Sequence, residues 1–200
     1  MSSKPELLAP AGSPESLRAA VQNGAGAVYL GWGDFNARRS AKNFSDEEFK
    51  EALVYCHVRG VRVFLTLNTL LTDRELPKAL ETARAACRMG VDAILVQDWG
   101  LFELLRKSLP DLPLHASTQM SIFTPGGATA VAEDGCRRVV LARECSASQT
   151  AARSASGDPA GERSSVISRC RRYWSYWGGS GRRSGSPAAA GAGKPPASAR

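Results

Sequence analysis

The chain has 200 residues and a formal net charge of +7, a balance that often marks nucleic-acid or membrane-surface binders. The charge is unevenly placed: residues 1–145 contain 17 basic and 17 acidic residues, and residues 146–200 contain nine and two. The neutral body carries no basic footprint for nucleic acid. The chain has no signal-peptide core and no run of roughly 20 apolar residues. We therefore expect a cytoplasmic protein without a membrane partner.

The cysteines predict neither a metal site nor a disulfide framework. They are odd in number and widely spaced, at Cys56, Cys87, Cys136, Cys145 and Cys170. Neither Cys-x-x-Cys nor His-Glu-x-x-His occurs. We expect free thiols in a reducing compartment and no cofactor bound by this chain.

The first two strand–helix units occupy residues 6–60. Residues 6–9 form a short apolar strand, and Ser13 then caps the first helix. Residues 27–30 form the second strand. After a polar loop, Ser45 opens a capping box for an amphipathic second helix.

The next two units follow the same order. Residues 61–67 are almost continuously apolar, which is typical of a buried parallel strand. A second capping box at residues 72–75 predicts a third helix that ends at Gly90. Residues 93–96 form the fourth strand, and residues 101–109 form a short helix.

The last units complete six strands and five helices. Residues 114–117 form strand five, Thr124 and Pro125 open helix five, and residues 138–142 form strand six. Such alternation predicts a parallel sheet covered by helices. A closed barrel has eight units in about 250 residues, and a doubly wound sheet usually carries a Gly-x-Gly-x-x-Gly turn that is missing here. The expected fold is α/β, a partial TIM-barrel-like sheet with strands one and six as unpaired edges.

Polar side chains follow the predicted strands at their carboxyl ends, where parallel α/β proteins bind ligands. They combine cations, carboxylates, amides, hydroxyls and one imidazole, which suits a polar or anionic substrate. The candidates are Asn36, Arg38, Asn43, Asn68, Gln97, Asp98, His115, Ser117, Gln119, Arg143 and Glu144. Asn68, Asp98 and Ser117 also have the residue types that cap turns and helices.

His115 is the obvious general base among these candidates. Ser117 lies two residues further on and would share its strand face. A Ser–His pair also needs an orienting acid and an oxyanion hole. The sequence has no Gly-x-Ser-x-Gly elbow, so a hydroxyl nucleophile is the less favoured interpretation.

Eight short motifs occur in order along the body, at residues 6–12, 29–31, 35–38, 43–44, 66–69, 97–98, 115–120 and 141–144. Together they resemble the N-terminal half of the collagenase-like peptidases of unknown catalytic type, family U32. The resemblance implies a TIM-barrel-like catalytic domain and a peptidase activity. We predict that Arg38, Asn68 and His115 are catalytic and that the other candidates bind substrate.

The same resemblance implies a rival activity. Some family members look like RNA hydroxylases or quinone-pathway hydroxylases that carry an iron–sulfur cluster. The family's Glu-x-Phe-x-x-Gly segment and its closely spaced cysteines do not follow Glu144, and Cys145 and Cys170 do not replace four thiolates. We expect the chain to be inactive as written. The alternatives are a fragment of an iron–sulfur-dependent hydroxylase that acts on RNA or on a quinone precursor, and a non-enzymatic binding module or inert fragment.

Residues 146–200 differ in composition from the body. Ser, Ala, Gly, Arg and Pro fill 43 of these 55 positions. Three interpretations compete: an arginine-rich nucleic-acid arm, a disordered linker, and an out-of-frame reading of a GC-rich gene. Loss of the family pattern after Glu144 favours the third. We therefore place a boundary at residue 145 and expect a disordered tail that does not bind nucleic acid, with at most a short turn around Val166–Trp177.

Overall fold

The computed structural model describes residues 6–37, residues 43–145 and the backbone of a strand at Ser165–Ser168. Its strands form one sheet in chain order, and every neighbouring pair is parallel. They are β1 (Leu8–Pro10), β2 (Ala27–Leu30), β3 (Arg62–Leu67), β4 (Ala93–Val96), β5 (Leu114–Ala116), β6 (Arg138–Leu141) and β7 (Ser165–Ser168). The first six curl into the predicted half-barrel.

Helices alternate with these first six strands, as predicted. They are α1 (Pro14–Gln22), α2 (Asp46–His57), α3 (Leu76–Met89), α4 (Trp99–Ser108) and α5 (Pro125–Glu133), and a single 3₁₀ turn, Thr118–Met120, follows β5. The expectation of six strands and five helices is confirmed. None of the helices that the structure describes is long and apolar enough to cross a membrane.

Local capping explains where most helices begin. The Ser45 hydroxyl accepts the Glu48 N–H, and the Glu48 carboxylate accepts the Ser45 N–H, as the predicted capping box requires. The predicted box at residues 72–75 instead forms a turn, and α3 begins only at Leu76. Pro77 explains the later start, because a proline fits a helix only in its first turn.

Side chains of β3 alternate between two buried layers. On β3, the outward residues Val63, Leu65 and Leu67 pack in the large core between sheet and helices. The inward Phe64 belongs to a smaller cluster inside the curl, with Ala27, Ala93, Leu95 and Val140. Burial on both faces explains the near-continuous apolar run of this strand.

A charged cluster lies at the N-terminal end of the inner face. The Glu6 carboxylate accepts hydrogen bonds from Arg62 and from Arg138, whose Nη2 lies 2.9 Å from Glu6 Oε2. Both guanidinium groups also lie over the ring of Phe64, at 5.6 and 5.2 Å from its centroid. Three chain segments far apart in sequence are joined at this end of the strands.

The edges of the sheet differ in part from the expectation. Strand β6 is paired along its length by β7, from Arg138 opposite Ser165 to Leu141 opposite Ser168, so it is not an unpaired edge. The β-branched pair at residues 166–167 favours an extended conformation, and it was expected only to turn. Among the described strands, β1 pairs with β2 alone. Apart from Ser165–Ser168, the residues from 146 onward lie outside the described residues, so the boundary at residue 145 stays a prediction.

Candidate functional site

A pocket of about 200 Å³ lies at the carboxyl ends of the strands, the usual ligand edge of parallel α/β sheets. Four predicted site residues line it: Asn68 after β3, Ser117 and Gln119 after β5, and Arg143 after β6. The structure therefore brings together side chains that lie up to 75 positions apart in the sequence. Their catalytic and substrate-binding roles stay predictions.

The pocket also has lining residues that the sequence did not single out. Thr66 projects from within β3 and donates a hydrogen bond to the Leu30 carbonyl at 3.0 Å. Tyr29 and Leu95 line the same space from the inner face. The prediction does not include these residues because they lie within strands and not at strand ends. The signal that could have found Thr66 is a lone polar residue in an apolar strand.

Asn68 joins two loops at the rim of the pocket. The Ala37 N–H donates to Asn68 Oδ1 at 3.1 Å, and Asn68 Nδ2 donates to Ser117 Oγ at 3.2 Å. Ser117 also accepts the Gln119 N–H at 3.4 Å, at the start of the 3₁₀ turn. The side chain after β3 thus holds the loop after β2 and the turn after β5.

Asn36 and Asn43 shape a loop instead of lining the pocket. Asn36 Nδ2 donates to Asn43 Oδ1 at 2.8 Å, and Asn43 Nδ2 donates to the Gly33 carbonyl at 2.6 Å. A Cβ at Gly31 would lie 2.8 Å from Asn36 Cγ, so the amide pair packs directly on this glycine. Arg38, predicted as catalytic, lies outside the described residues.

His115 packs against Phe64 of the inner cluster and does not line the pocket. Its side chain points inward from β5 and packs edge-on against Phe64, with ring centroids 4.7 Å apart. Burial, followed by the charges of Arg138, Arg62 and Arg137, lowers the pKa of His115 to about 3. Its Nδ1 is buried without a hydrogen-bond partner in the described part of the chain. A neutral, enclosed imidazole is poorly placed to act as general base in the pocket.

Three other candidates stand apart from the pocket. Asp98 caps α4, with Oδ1 accepting the Leu101 N–H at 2.8 Å and Oδ2 accepting the Leu71 N–H at 3.3 Å. Both carboxylate oxygens therefore serve the backbone, which is the capping alternative already named for this residue. Gln97 and Glu144 follow their strands as predicted, but neither lines the pocket.

The described residues do not fit the iron–sulfur cluster that the family resemblance implies. Cluster iron is held by thiolates, and burial raises the pKa of Cys56 to about 11 and also raises that of Cys136. Cys136 instead hydrogen-bonds within the sheet, accepting the Ala116 N–H at 3.2 Å. Within residues 6–37 and 43–145, no three His, Cys, Asp or Glu side chains are grouped to hold a metal.

Comparison with known proteins places this geometry in a family. The chain matches the model of peptidase family U32 over residues 12–156. It is 41% identical over 144 residues to a 23S rRNA 5-hydroxycytidine synthase of Escherichia coli (strain K12), covering 72% of this chain and 21% of that protein. It is 36% identical over 144 residues to a tRNA hydroxylation protein of Bacillus subtilis (strain 168), covering 72% and 34%. The chain thus spans about a fifth to a third of these relatives.

A solved structure agrees on the fold. A U32 peptidase superposes with a TM-score of 0.62 at 18% identity, covering 84% of this chain and 68% of that one. On the family-model match, this chain belongs to peptidase family U32.

Proposed function

We propose that this chain is the base-recognition part of an RNA hydroxylase. The observation that carries the proposal is the similarity to two relatives named for RNA hydroxylation, at 41% and 36% identity. The family description points to peptidases, so the two activities must be separated by the chemistry of the pocket.

The pocket suits a ligand with several acceptor atoms. Arg143 supplies a guanidinium, and Ser117, Thr118 and Gln119 supply hydroxyl and amide donors. A volume of about 200 Å³ is below the roughly 300–1,000 Å³ of most ligand sites. That size favours a single base taken out of its stack over a longer segment.

The charge of the body limits what this chain contributes. Affinity for a nucleic-acid backbone comes from lysine and arginine contacts to phosphates, yet residues 1–145 carry no net charge. The proposal therefore assigns recognition of a base to this pocket. Most backbone contacts in a longer family member would come from other segments.

A peptidase is the second candidate, favoured by the family description and by the solved neighbour. A serine-type mechanism needs a base hydrogen-bonded to the nucleophile. Ser117 Oγ instead accepts from Asn68, and His115 is enclosed beneath the pocket with a pKa of about 3. This arrangement supports nucleotide binding better than hydroxyl-nucleophile cleavage.

The test measures RNA binding and peptide cleavage by the same purified protein. Purified chain is titrated with a short fluorescent single-stranded RNA containing cytidine, and separately incubated with gelatin peptides. We expect RNA binding that Arg143→Ala weakens about 10-fold or more, through loss of a charge-assisted contact, and no peptide cleavage. Arg88→Ala, which removes the same charge from the exposed last turn of α3 away from the pocket, is the matched control.

The opposite pattern would reject the proposal. Gelatin cleavage abolished by Ser117→Ala, without measurable RNA binding, would establish the peptidase instead. RNA mass spectrometry of a full-length relative carrying the Arg143→Ala equivalent provides the activity readout, as gain of one oxygen on the target base.

A further inference from the structure

We infer that Asn68 is a positioning residue that fixes the orientation of the Ser117 hydroxyl, so that Ser117 donates a hydrogen bond to a substrate acceptor atom. The inference rests on the proposed function for the identity of the ligand, an RNA base presenting a carbonyl or ring-nitrogen acceptor. The hydrogen-bond geometry that supports it is independent of that function.

The orientation of the Asn68 amide is fixed by its neighbour. An amide oxygen and nitrogen are hard to tell apart by shape alone, so hydrogen-bond partners decide their assignment. The Ala37 N–H can only donate, and it faces Asn68 at 3.1 Å. The atom facing Ala37 must therefore be Oδ1, which leaves Nδ2 to face Ser117 at 3.2 Å.

The orientation of the Ser117 hydroxyl follows from that assignment. A serine hydroxyl has one proton and two acceptor positions. Both acceptor positions are occupied, one by Asn68 Nδ2 at 3.2 Å and one by the Gln119 N–H at 3.4 Å. The proton is the remaining hydrogen-bonding function of this side chain, which is 3% exposed and lines the pocket.

The burial of the Ser117 hydroxyl gives its orientation an energetic consequence. A buried donor that lacks a partner is costly, so the pocket favours a ligand that offers an acceptor at Ser117. Thr66 contributes the opposite function, because its proton is already donated to the Leu30 carbonyl and only its lone pairs remain. One wall of the pocket thus donates and another accepts, as recognition of a base edge requires.

The first experiment tests the bonds made by Asn68 without any ligand. Amide hydrogen exchange is measured by NMR for Ala37 and Gln119 in the wild type, Asn68→Ala and Asn68→Asp. We expect Asn68→Ala to speed exchange at both amides by about 5- to 10-fold, because the acceptor of one is lost and that of the other is freed to move. Asn68→Asp keeps an acceptor for both Ala37 and Ser117 and should leave exchange near wild type.

The second experiment tests the direction of the Ser117 hydrogen bond. In Asn68→Asp the carboxylate accepts the Ser117 proton, so the hydroxyl can no longer donate to a ligand. We expect Asn68→Asp and Ser117→Ala each to weaken binding of the short cytidine-containing RNA by about 3- to 10-fold. The double variant should bind no worse than the weaker-binding single variant. Asn23→Asp adds the same charge at an exposed site and is the control.

The outcomes separate this inference from the proposed function. Wild-type exchange at Ala37 in Asn68→Ala would overturn the positioning role. Unchanged RNA binding in Asn68→Asp would overturn the donor assignment. A further loss of binding when Asn68→Asp is combined with Ser117→Ala would overturn it too, because that loss would come from repulsion between the new carboxylate and the RNA and not from the Ser117 hydroxyl. Absence of RNA binding by the wild type would reject the proposed function, and the exchange data would then decide the positioning role alone.

Discussion

Gly31 is the point at which the loop after β2 has the least room for change. A Cβ there would lie 2.8 Å from Asn36 Cγ and Nδ2 and 3.0 Å from Asn43 Oδ1. We predict that Gly31→Ala destabilises the protein by about 1–3 kcal/mol, because Asn36 is buried and cannot move without losing its bond to Asn43. Urea unfolding measures the effect.

The control for Gly31 is another glycine in the same part of the fold. A Cβ at Gly12 would meet no atom within 4 Å, so Gly12→Ala should shift the free energy of unfolding by no more than about 0.5 kcal/mol. Equal effects of the two substitutions would show that the amide pair yields to the added methyl group.

The burial of His115 predicts how the stability of the protein depends on pH. The unfolded imidazole takes up a proton below about pH 6.5, whereas the folded pKa is lowered to about 3 by burial and by neighbouring arginines. The unfolded state therefore binds more protons between these values. The contribution of His115 to stability is complete above about pH 6.5 and is lost as the pH falls toward 3.

The measurement for His115 is the urea midpoint as a function of pH. His115→Gln, which does not titrate, should lose stability less steeply than the wild type between about pH 6.5 and pH 4. His57 is present in both proteins and cancels in the comparison. Parallel curves for the two proteins would contradict the lowered pKa.

For single residues, the sequence indicated which side chains lie at the carboxyl ends of the strands but not what each of them contacts. Asn68, Ser117, Gln119 and Arg143 reach the pocket as predicted. Asn36, Asn43 and Asp98 have the same residue types and the same position after a strand, yet they hold loops and a helix end. The difference depends on which backbone N–H lies nearby in three dimensions, and a one-dimensional pattern does not contain that information.

Among the elements, α4 depends on a single cap. Asp98 accepts the Leu101 N–H at 2.8 Å and also holds the Leu71 N–H of the preceding loop. We predict that Asp98→Ala lowers the free energy of unfolding by about 1–2 kcal/mol. Asp98→Asn keeps the cap on the Leu101 N–H but loses the bond to the Leu71 N–H, so its stability should fall between those of Asp98→Ala and the wild type. Thermal unfolding of the three proteins provides the comparison.

The same pair of variants decides the role of Asp98 in the site. If Asp98→Ala folded with wild-type stability and lost RNA binding, the capping role would be wrong and the original prediction of a substrate contact would stand. Asp98→Asn separates the two roles further, because it keeps the cap on α4, loses only the Leu71 bond and removes the charge.

Elements were more predictable than site residues because their signals are local. Apolar runs and N-caps lie within a few residues of the structure they specify, and the five helices and six strands follow from them. The start of α3 required weighing Pro77 against the box at residues 72–75. Strand β7 was not foreseen, since four residues give too short a pattern and its pairing with β6 is non-local.

For the molecule as a whole, Glu6 is important because it connects segments that lie far apart in the described part of the chain. Its carboxylate binds Arg62 and the buried Arg138, 132 positions along the chain. We predict that Glu6→Gln destabilises the protein by about 1–3 kcal/mol, because a neutral amide compensates the buried guanidinium less well. Urea unfolding at neutral pH measures the loss.

Glu103→Gln is the surface counterpart of this change. Glu103 pairs with Arg106 one turn away on α4, in an exposed setting where ion pairs contribute little to stability. The urea midpoint of Glu103→Gln should therefore stay close to that of the wild type. A midpoint shift for Glu6→Gln as small as that for Glu103→Gln would show that the cluster is not needed to hold the N-terminal end of the half-barrel.

Strand β3 is held by polar bonds at both of its ends, and these bonds determine its register in the sheet. Hydrophobicity alone cannot fix how β3 slides between its neighbours, because its outward residues and Phe64 are all apolar. Arg62 is bound to Glu6 at one end, and Thr66 is bound to the Leu30 carbonyl at the other. A slip by one residue would exchange the two faces, turn a guanidinium into the helix-covered core and break both bonds. The polar groups at the two ends therefore permit only one register of the strand. A single residue inserted within β3 would destabilise the protein far more than the same insertion in a loop.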